Sequence, residues 1–206
     1  RSDTAMIMHI SADRSRVDVI SIPRDTVVDI PSCTSSDGST VEESEGQFNT
    51  AFANGAGTGS DKKAVTAGVA CTIKTVERLT NIRIDEFMVV DFTGFEKMVD
   101  SLGGVPMYVE EDVSDDKADL YLDKGCNTLN GAQALGYARA RYSLGDGSDI
   151  SRIGRQQQLV AAMMRTAKSK NLLTDMTSLY GFATSALETL TVSEGLGGVD
   201  KLAGLA

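Results

Sequence analysis

Short apolar runs at Thr4–Ser11 (TAMIMHIS) and Arg16–Ile22 (RVDVISI) predict strands, and the polar Ala12-Asp13-Arg14-Ser15 between them predicts the turn of a hairpin. Pro23 cannot donate to a ladder, so the second strand is expected to end there and to present Arg24 and Asp25 at its carboxyl end. Pro31–Gly46 is polar and acidic and predicts a long loop, with Phe48 and Phe52 anchoring its return. From Asp61 to Thr80 the period lengthens to that of a helix, placing Val65, Val69, Thr72, Ile73, Val76 and Leu79 on one inward stripe. Arg83–Phe92 predicts a strand with a buried centre. Thr93–Leu102 predicts a helix capped by Thr93 and stopped by Gly103-Gly104. Val105–Val109 and Leu120–Leu122 predict short strands on either side of the acidic excursion Glu110–Asp119. Asn130-Gly131 opens a helix through Tyr137, and helical runs follow at Ser148–Lys170 and Thr174–Leu190. No repeat or linker interrupts this order, so a single domain over residues 1–206 is expected.

Composition narrows the class. With 206 residues, 41% hydrophobic, 20 glycines and no tryptophan, the chain suits α/β packing built from aliphatic side chains. A net charge of −9 argues against a nucleic-acid partner, which favours a basic stripe. No apolar run reaches the roughly eighteen residues that a membrane helix needs. The start at Arg1-Ser2-Asp3, without a methionine, fits an excised soluble domain. Among the three cysteines, position favours a Cys33–Cys71 disulfide tying down the polar loop and implying an oxidising compartment, with Cys126 left over. The one histidine, His9, reads as a strand residue. Asp112, Asp115 and Asp116 lack the spacing and closing glutamate of an EF-hand, so a solvated charge run is expected there.

Against that acidic background, Arg139, Arg141, Arg152 and Arg155 crowd into Leu135–Met164. With Ser148 or Asp149 as N-cap, Asp149, Arg152 and Gln156 share a stripe that nearly coincides with Ile153, Val160, Met163 and Ala167, so they are expected to face inward. Arg155 and Gln157 are expected to diverge toward solvent. An ordinary helix pair between Arg152 and Asp149 is one account. It leaves Arg139 and Arg141 unexplained: two apart, they point the same way only if the chain runs extended after Tyr137. A bound anion with several oxygens, such as a diphosphate, satisfies inward guanidiniums, whose planar forks match it. By spacing alone, Arg24-Asp25 reads as a surface turn pair.

The motifs RSDT (Arg1–Thr4), SIPRDT (Ser21–Thr26), FNTAF (Phe48–Phe52), VDFTGFEKMVDSLGGV (Val90–Val105), LNGAQALGYARAR (Leu129–Arg141) and DISRIGRQQQ (Asp149–Gln158) together resemble the LytR-CpsA-Psr family over Arg1 to about Lys170. The resemblance implies an α-β-α sandwich, a central mixed β-sheet flanked by helices, with a hydrophobic polyprenyl pocket and arginines at its mouth. It implies an extracytoplasmic, Mg²⁺- or Mn²⁺-dependent phosphotransferase, held to the membrane by an upstream helix and acting as a monomer. Its partners would be a polyprenyl-diphosphate-linked glycopolymer and peptidoglycan. By the same resemblance Arg24, Arg139, Arg141 and Arg152 hold the diphosphate, Asp149 and Gln156 complete the site, and Asp3 is one of two metal-binding aspartates. The other metal aspartate of the family lies upstream of the RSD motif, so metal binding is expected to be impaired without that segment. Asp149 and Asp25 are the candidate bases. A carrier-binding module without turnover and a pyrophosphatase are the alternatives.

Overall fold

The computed structural model describes residues 3–140, 149–170, 190–198 and 200–201. It is a mixed α/β structure, and the chain divides into two compact units, Arg1–Phe87 and Met88–Ala206. Every ladder among the described residues is antiparallel and two-stranded.

In the first unit, β1 (Ala5–Ile10) and β2 (Val17–Ile22) form the expected hairpin, with Ala5 opposite Ile22 and Ile10 opposite Val17. Asp13 builds the turn: its Oδ1 accepts from Ser11 Oγ at 2.7 Å, Ser15 Oγ at 2.8 Å and Ser15 N at 3.1 Å. These hydrogen bonds, those from Ser11 and Ser15 first, hold the Asp13 carboxyl at a pKa of about 2.

Pro31–Gly46 is not a structureless loop. β3 (Val27–Ile30) pairs with β6 (Ser44–Gln47), and β4 (Cys33–Thr34) pairs with β5 (Thr40–Val41), giving nested hairpins over residues 27–47 that take in that segment. The turn closes at Gly38 (φ +90°), where the Gly38 amide donates to Ser35 O at 2.9 Å. Ladder bonds use the backbone, so polar side chains are no bar to pairing.

α1 (Asn49–Ala56) and α2 (Lys62–Thr80) follow. Asp61 caps α2, accepting from Ala64 N at 2.9 Å, and Asn81 ends it in the left-handed conformation (φ +54°). The stripe is rotated from the expected one: Ala64, Gly68, Val69, Cys71, Thr75 and Val76 are buried, whereas Leu79 is 48% exposed. Small residues win the inner face because they let the helix approach its neighbours. Cys33 and Cys71 form the expected disulfide, bolting the nested hairpins to α2 with their Cα atoms 5.5 Å apart. Ile22, Val28, Ile30, Phe48, Ala51 and Val76 pack around it.

The second unit opens with β7 (Met88–Val90), paired with β12 (Leu190–Val192), and α3 (Phe92–Ser101). The longer strand expected over Arg83–Phe92 is therefore reduced to three residues, and its centre is not buried, with Met88 and Val90 exposed. Asp91, not Thr93, caps α3 by accepting from Gly94 N at 2.7 Å. A carboxylate there takes an otherwise orphaned amide and complements the helix dipole. β8 (Val105–Val109) pairs with β11 (Gly125–Leu129), and β9 (Val113–Asp115) with β10 (Leu120–Leu122).

α4 (Gly131–Arg139) begins with a capping box: Asn130 Oδ1 accepts from Gln133 N at 2.9 Å, and Gln133 Oε1 accepts from Asn130 N at 3.1 Å. α5 spans Asp149–Ser169, and Glu194–Leu196 forms a 3₁₀ turn. Val99, Leu102, Val105, Leu120, Leu129 and Leu159 lie at the centre of this unit's apolar cluster. The expected helix at Thr174–Leu190 falls outside the described residues except for Leu190, which opens β12.

Candidate functional site

The candidate residues lie in both units. In the first, Pro23 ends β2 and the chain turns at once, the Thr26 amide donating to Pro23 O at 3.1 Å. Asn49 N donates to Arg24 O at 2.9 Å and Phe48 N to Thr26 O at 2.8 Å, tying the turn to the start of α1. Phe48, 1% exposed, anchors that junction in the core. From this fixed backbone Arg24 reaches two carboxylates, Asp3 Oδ1 at 2.7 Å from Nη1 and Asp25 Oδ2 at 3.3 Å from Nε. Asn49 Nδ2 supports Asp25 Oδ1 at 3.5 Å. Burial of Arg24 works against its charge but is outweighed by Asp25 and then Asp3, so its pKa lies above the ordinary guanidinium value. The turn pair with Asp25 thus exists, and the same guanidinium also gathers Asp3 from far along the chain.

Asp3 is the residue to which the resemblance assigns a divalent cation. Its side chain is more than half exposed, and one of its oxygens is engaged by Arg24. Mg²⁺ characteristically takes one or two protein carboxylates and completes its octahedron with water and substrate phosphate, so a single open carboxylate fits that use. Among the described residues, no group of three or more His, Cys, Asp or Glu side chains is arranged to hold a metal.

In the second unit, α4 stays helical through Arg139, so Arg139 does not lie on the extended segment expected after Tyr137. Its side chain is exposed, with the guanidinium carbon 4.8 Å from the centroid of the Phe92 ring at the start of α3. The chain leaves the helix at Ala140 (φ −53°, ψ 133°). Arg141 and the side chain of Asp149 lie outside the described residues.

On α5 the buried stripe is Arg152, Arg155, Leu159, Ala162 and Thr166, one residue round from the expected face. Arg152 faces inward as expected, 6% exposed. Arg155 does not diverge to solvent: it is 8% exposed, with Nη2 donating to Ala140 O and Nη1 to Ser151 Oγ at 3.4 Å. Gln156, partly buried, donates from Nε2 to Ala138 O at 3.2 Å. Arg155 Nη2 and Gln156 Nε2 each take a carbonyl at the end of α4, where helix carbonyls lack intrahelical partners and a positive charge is favoured.

The structure therefore brings Asp3, Arg24 and Asp25 together in one unit, and Arg139 and Gln156 into a shared neighbourhood in the other. Phe92 was not singled out by sequence reasoning, and Arg155 was assigned to solvent. The signal for Arg155 was its place in the i, i+3, i+7 series Arg152, Arg155, Leu159, legible if an arginine stem is allowed to count as apolar. For Phe92 it was an aromatic directly after a capping aspartate, a half-exposed position with no core role.

A family model described as the LytR_cpsA_psr family matches residues 1–204. The chain is 33% identical over 196 residues to the probable cell wall biosynthesis protein LcpB of Corynebacterium glutamicum, covering 95% of this chain and 41% of that protein. It is 30% identical over 203 residues to the polyisoprenyl-teichoic acid–peptidoglycan teichoic acid transferase TagV of Bacillus subtilis, covering 95% and 46%. The chain thus spans less than half the length of these relatives. Among solved structures, the crystal structure of B. subtilis TagV superposes with a TM-score of 0.74 at 26% identity, over 100% of this chain and 70% of that one. TagT bound to LI-WTA gives 0.68 at 26% identity, over 100% and 68%.

Proposed function

The chain belongs to the LytR-CpsA-Psr family, and from that premise we propose that it transfers a glycopolymer from a polyprenyl-diphosphate carrier to peptidoglycan, leaving a phosphodiester link. The observation that carries this reading is the likeness over 95% of the chain to a protein named as a teichoic acid transferase, which spans the arginine motifs. The chemistry of those motifs agrees with it. Arg139 stands exposed in a protein of net charge −9, and a diphosphate is the kind of ligand that would draw it.

In the proposed reaction a hydroxyl of the acceptor sugar attacks the phosphorus bearing the glycan. The new P–O bond forms as the bond to the lipid phosphate breaks, and the lipid monophosphate leaves with the negative charge. The hydroxyl proton passes to a carboxylate, Asp149 or Asp25. Arg139, Arg141 and Arg152, with Gln156, hold the diphosphate oxygens and stabilise the charge that develops on them. Asp3 would hold part of the coordination of a Mg²⁺ or Mn²⁺ ion, which when bound would supply further neutralisation of phosphate oxygens. A peptidoglycan acceptor would put the reaction on the extracytoplasmic side of the membrane. Among the described residues, no helix is long and apolar enough to cross a membrane.

Incubation with a polyprenyl-diphosphate-linked glycan and peptidoglycan fragments tests the reading. Joined product is expected, and Arg139→Ala should raise the barrier by about 2–4 kcal/mol, roughly thirty- to a thousand-fold in rate. Affinity without product would point to a carrier-binding module instead. Release of lipid monophosphate with no acceptor joined would point to a pyrophosphatase.

A further inference from the structure

The backbone on both sides of Arg139 is held by α5. The carbonyl before it, Ala138 O, accepts from Gln156 Nε2 at 3.2 Å, and the carbonyl after it, Ala140 O, accepts from Arg155 Nη2. Arg155 is buried, 8% exposed, and Ser151 Oγ one turn back accepts from its Nη1. The side chain that emerges between these carbonyls lies against the Phe92 ring, 4.8 Å from its centroid.

The helix that carries the ring is itself held. Asp91 caps α3 one residue before Phe92, and Asp100 Oδ1 accepts from Gly131 N at 2.7 Å, joining the end of α3 to the start of α4. Gly131 meets α3 backbone to backbone: a Cβ there would lie 2.8 Å from the Glu96 carbonyl carbon and Cα. With the start of α3 beside the end of α4, and the end of α3 beside the start of α4, the two helices run antiparallel at fixed register.

From this arrangement we infer that Arg155 and Phe92 are positioning residues for Arg139, one fixing the carbonyl of the next residue, Ala140, where the chain leaves α4, and the other the guanidinium. A long exposed arginine samples many rotamers, and restricting it beforehand removes part of the entropy cost of meeting an anion. A phenyl face suits the task because it attracts the cation without occupying its N–H donors, which stay open at the edge of the plane. Arg155 carries a positive charge to the carbonyl end of α4, so it stabilises the same helix end that displays Arg139. The functional part of the inference rests on the anion-binding role proposed above for Arg139.

The test separates the two. In ¹⁵N-labelled protein the Arg139 Nε–H signal, identified by its loss in Arg139→Lys, should be displaced upfield because it lies over an aromatic face. Binding of inorganic pyrophosphate is measured calorimetrically on the same samples. Arg155→Lys, which keeps the charge but loses the planar fork, should reduce the displacement and weaken pyrophosphate binding about tenfold. Phe92→Leu, at a position 47% exposed and so tolerant of change, should abolish the displacement and weaken binding similarly, with both restored in Phe92→Trp. Should Arg155→Lys fail to fold, the Phe92 variants still decide the ring's part, and Ser151→Ala, which frees Arg155 Nη1, decides the other. Unchanged displacement and affinity in the folded variants would overturn the inference. Unchanged affinity in Arg139→Ala, with the displacement in the parent still responding to Arg155 and Phe92, would instead remove the anion site and leave the positioning intact.

Discussion

In the first unit Arg24 meets two carboxylates, Asp3 at 2.7 Å and Asp25 at 3.3 Å, whereas in the second Arg139 has a phenyl ring at 4.8 Å and, among the described residues, no carboxylate within ion-pair distance. Arg24 is thus already neutralised in the protein. An anion drawn to it must compete with Asp3, or a cation must first take Asp3 away. Arg139 is held by groups that leave its charge unspent. The two units differ likewise in what holds them together. The first closes a polar segment, residues 31–46, that has little apolar surface to bury and is fastened to α2 by a covalent bond. The second relies on an aliphatic cluster and on side chains reaching helix ends.

The sharpest way to break this contrast is to remove the bond. Cys33→Ser, or reduction of the Cys33–Cys71 disulfide with its separation of 38 residues, should cost roughly 4 kcal/mol by loop-closure entropy. Amide exchange should quicken in β3–β6 and α2 while the α3–α4–α5 amides keep their protection. Equal acceleration in both units would show that the second also leans on the disulfide.

A smaller effect is expected at the helix contact of the second unit. Gly131→Ala sets a methyl against the Glu96 backbone, which has no flexible end to yield, and should cost about 1–3 kcal/mol in thermal unfolding. A melting temperature at or above that of the parent would mean the helices are free to part there.

The least effect belongs to the turn of the first hairpin. The Asp13 pKa is depressed from 3.8 to about 2, so its stabilising hydrogen bonds are present above pH 3.8 and lost as pH falls toward 2. An NMR titration should show the Ser15 amide moving with an apparent pKa near 2. A midpoint at the ordinary carboxylate value would mean that the turn bonds are not made in solution.

What could be read from the sequence depended on whether a side chain announced its partner. Asp61, Asn130 and Pro23 mark boundaries by local chemistry, and α2, α4 and β2 begin or end where those residues stand. The nested hairpins of residues 27–47 escaped because backbone pairing leaves no apolar signature in the polar part of that segment. Arg83–Phe92 misled in the opposite sense: its apolar run looks like a core strand, yet most of it is not strand and Asp91 already belongs to the next helix as its cap. The site divided in the same way. Asp3, Arg24, Arg139, Arg152 and Gln156 came from motifs, while Arg155 was assigned to solvent because its partner is the Ala140 carbonyl, which no sequence displays.

α4 is nine residues long, shorter than the roughly twelve to fifteen at which a helix becomes even marginal alone in water. One end is gripped by an acid on α3, Asp100, and the other by a base and an amide on α5, Arg155 and Gln156. It behaves like a rung rather than a post: its order is lent by the two rails, and a shift of either would reach Arg139 by tilting or unwinding the piece between them.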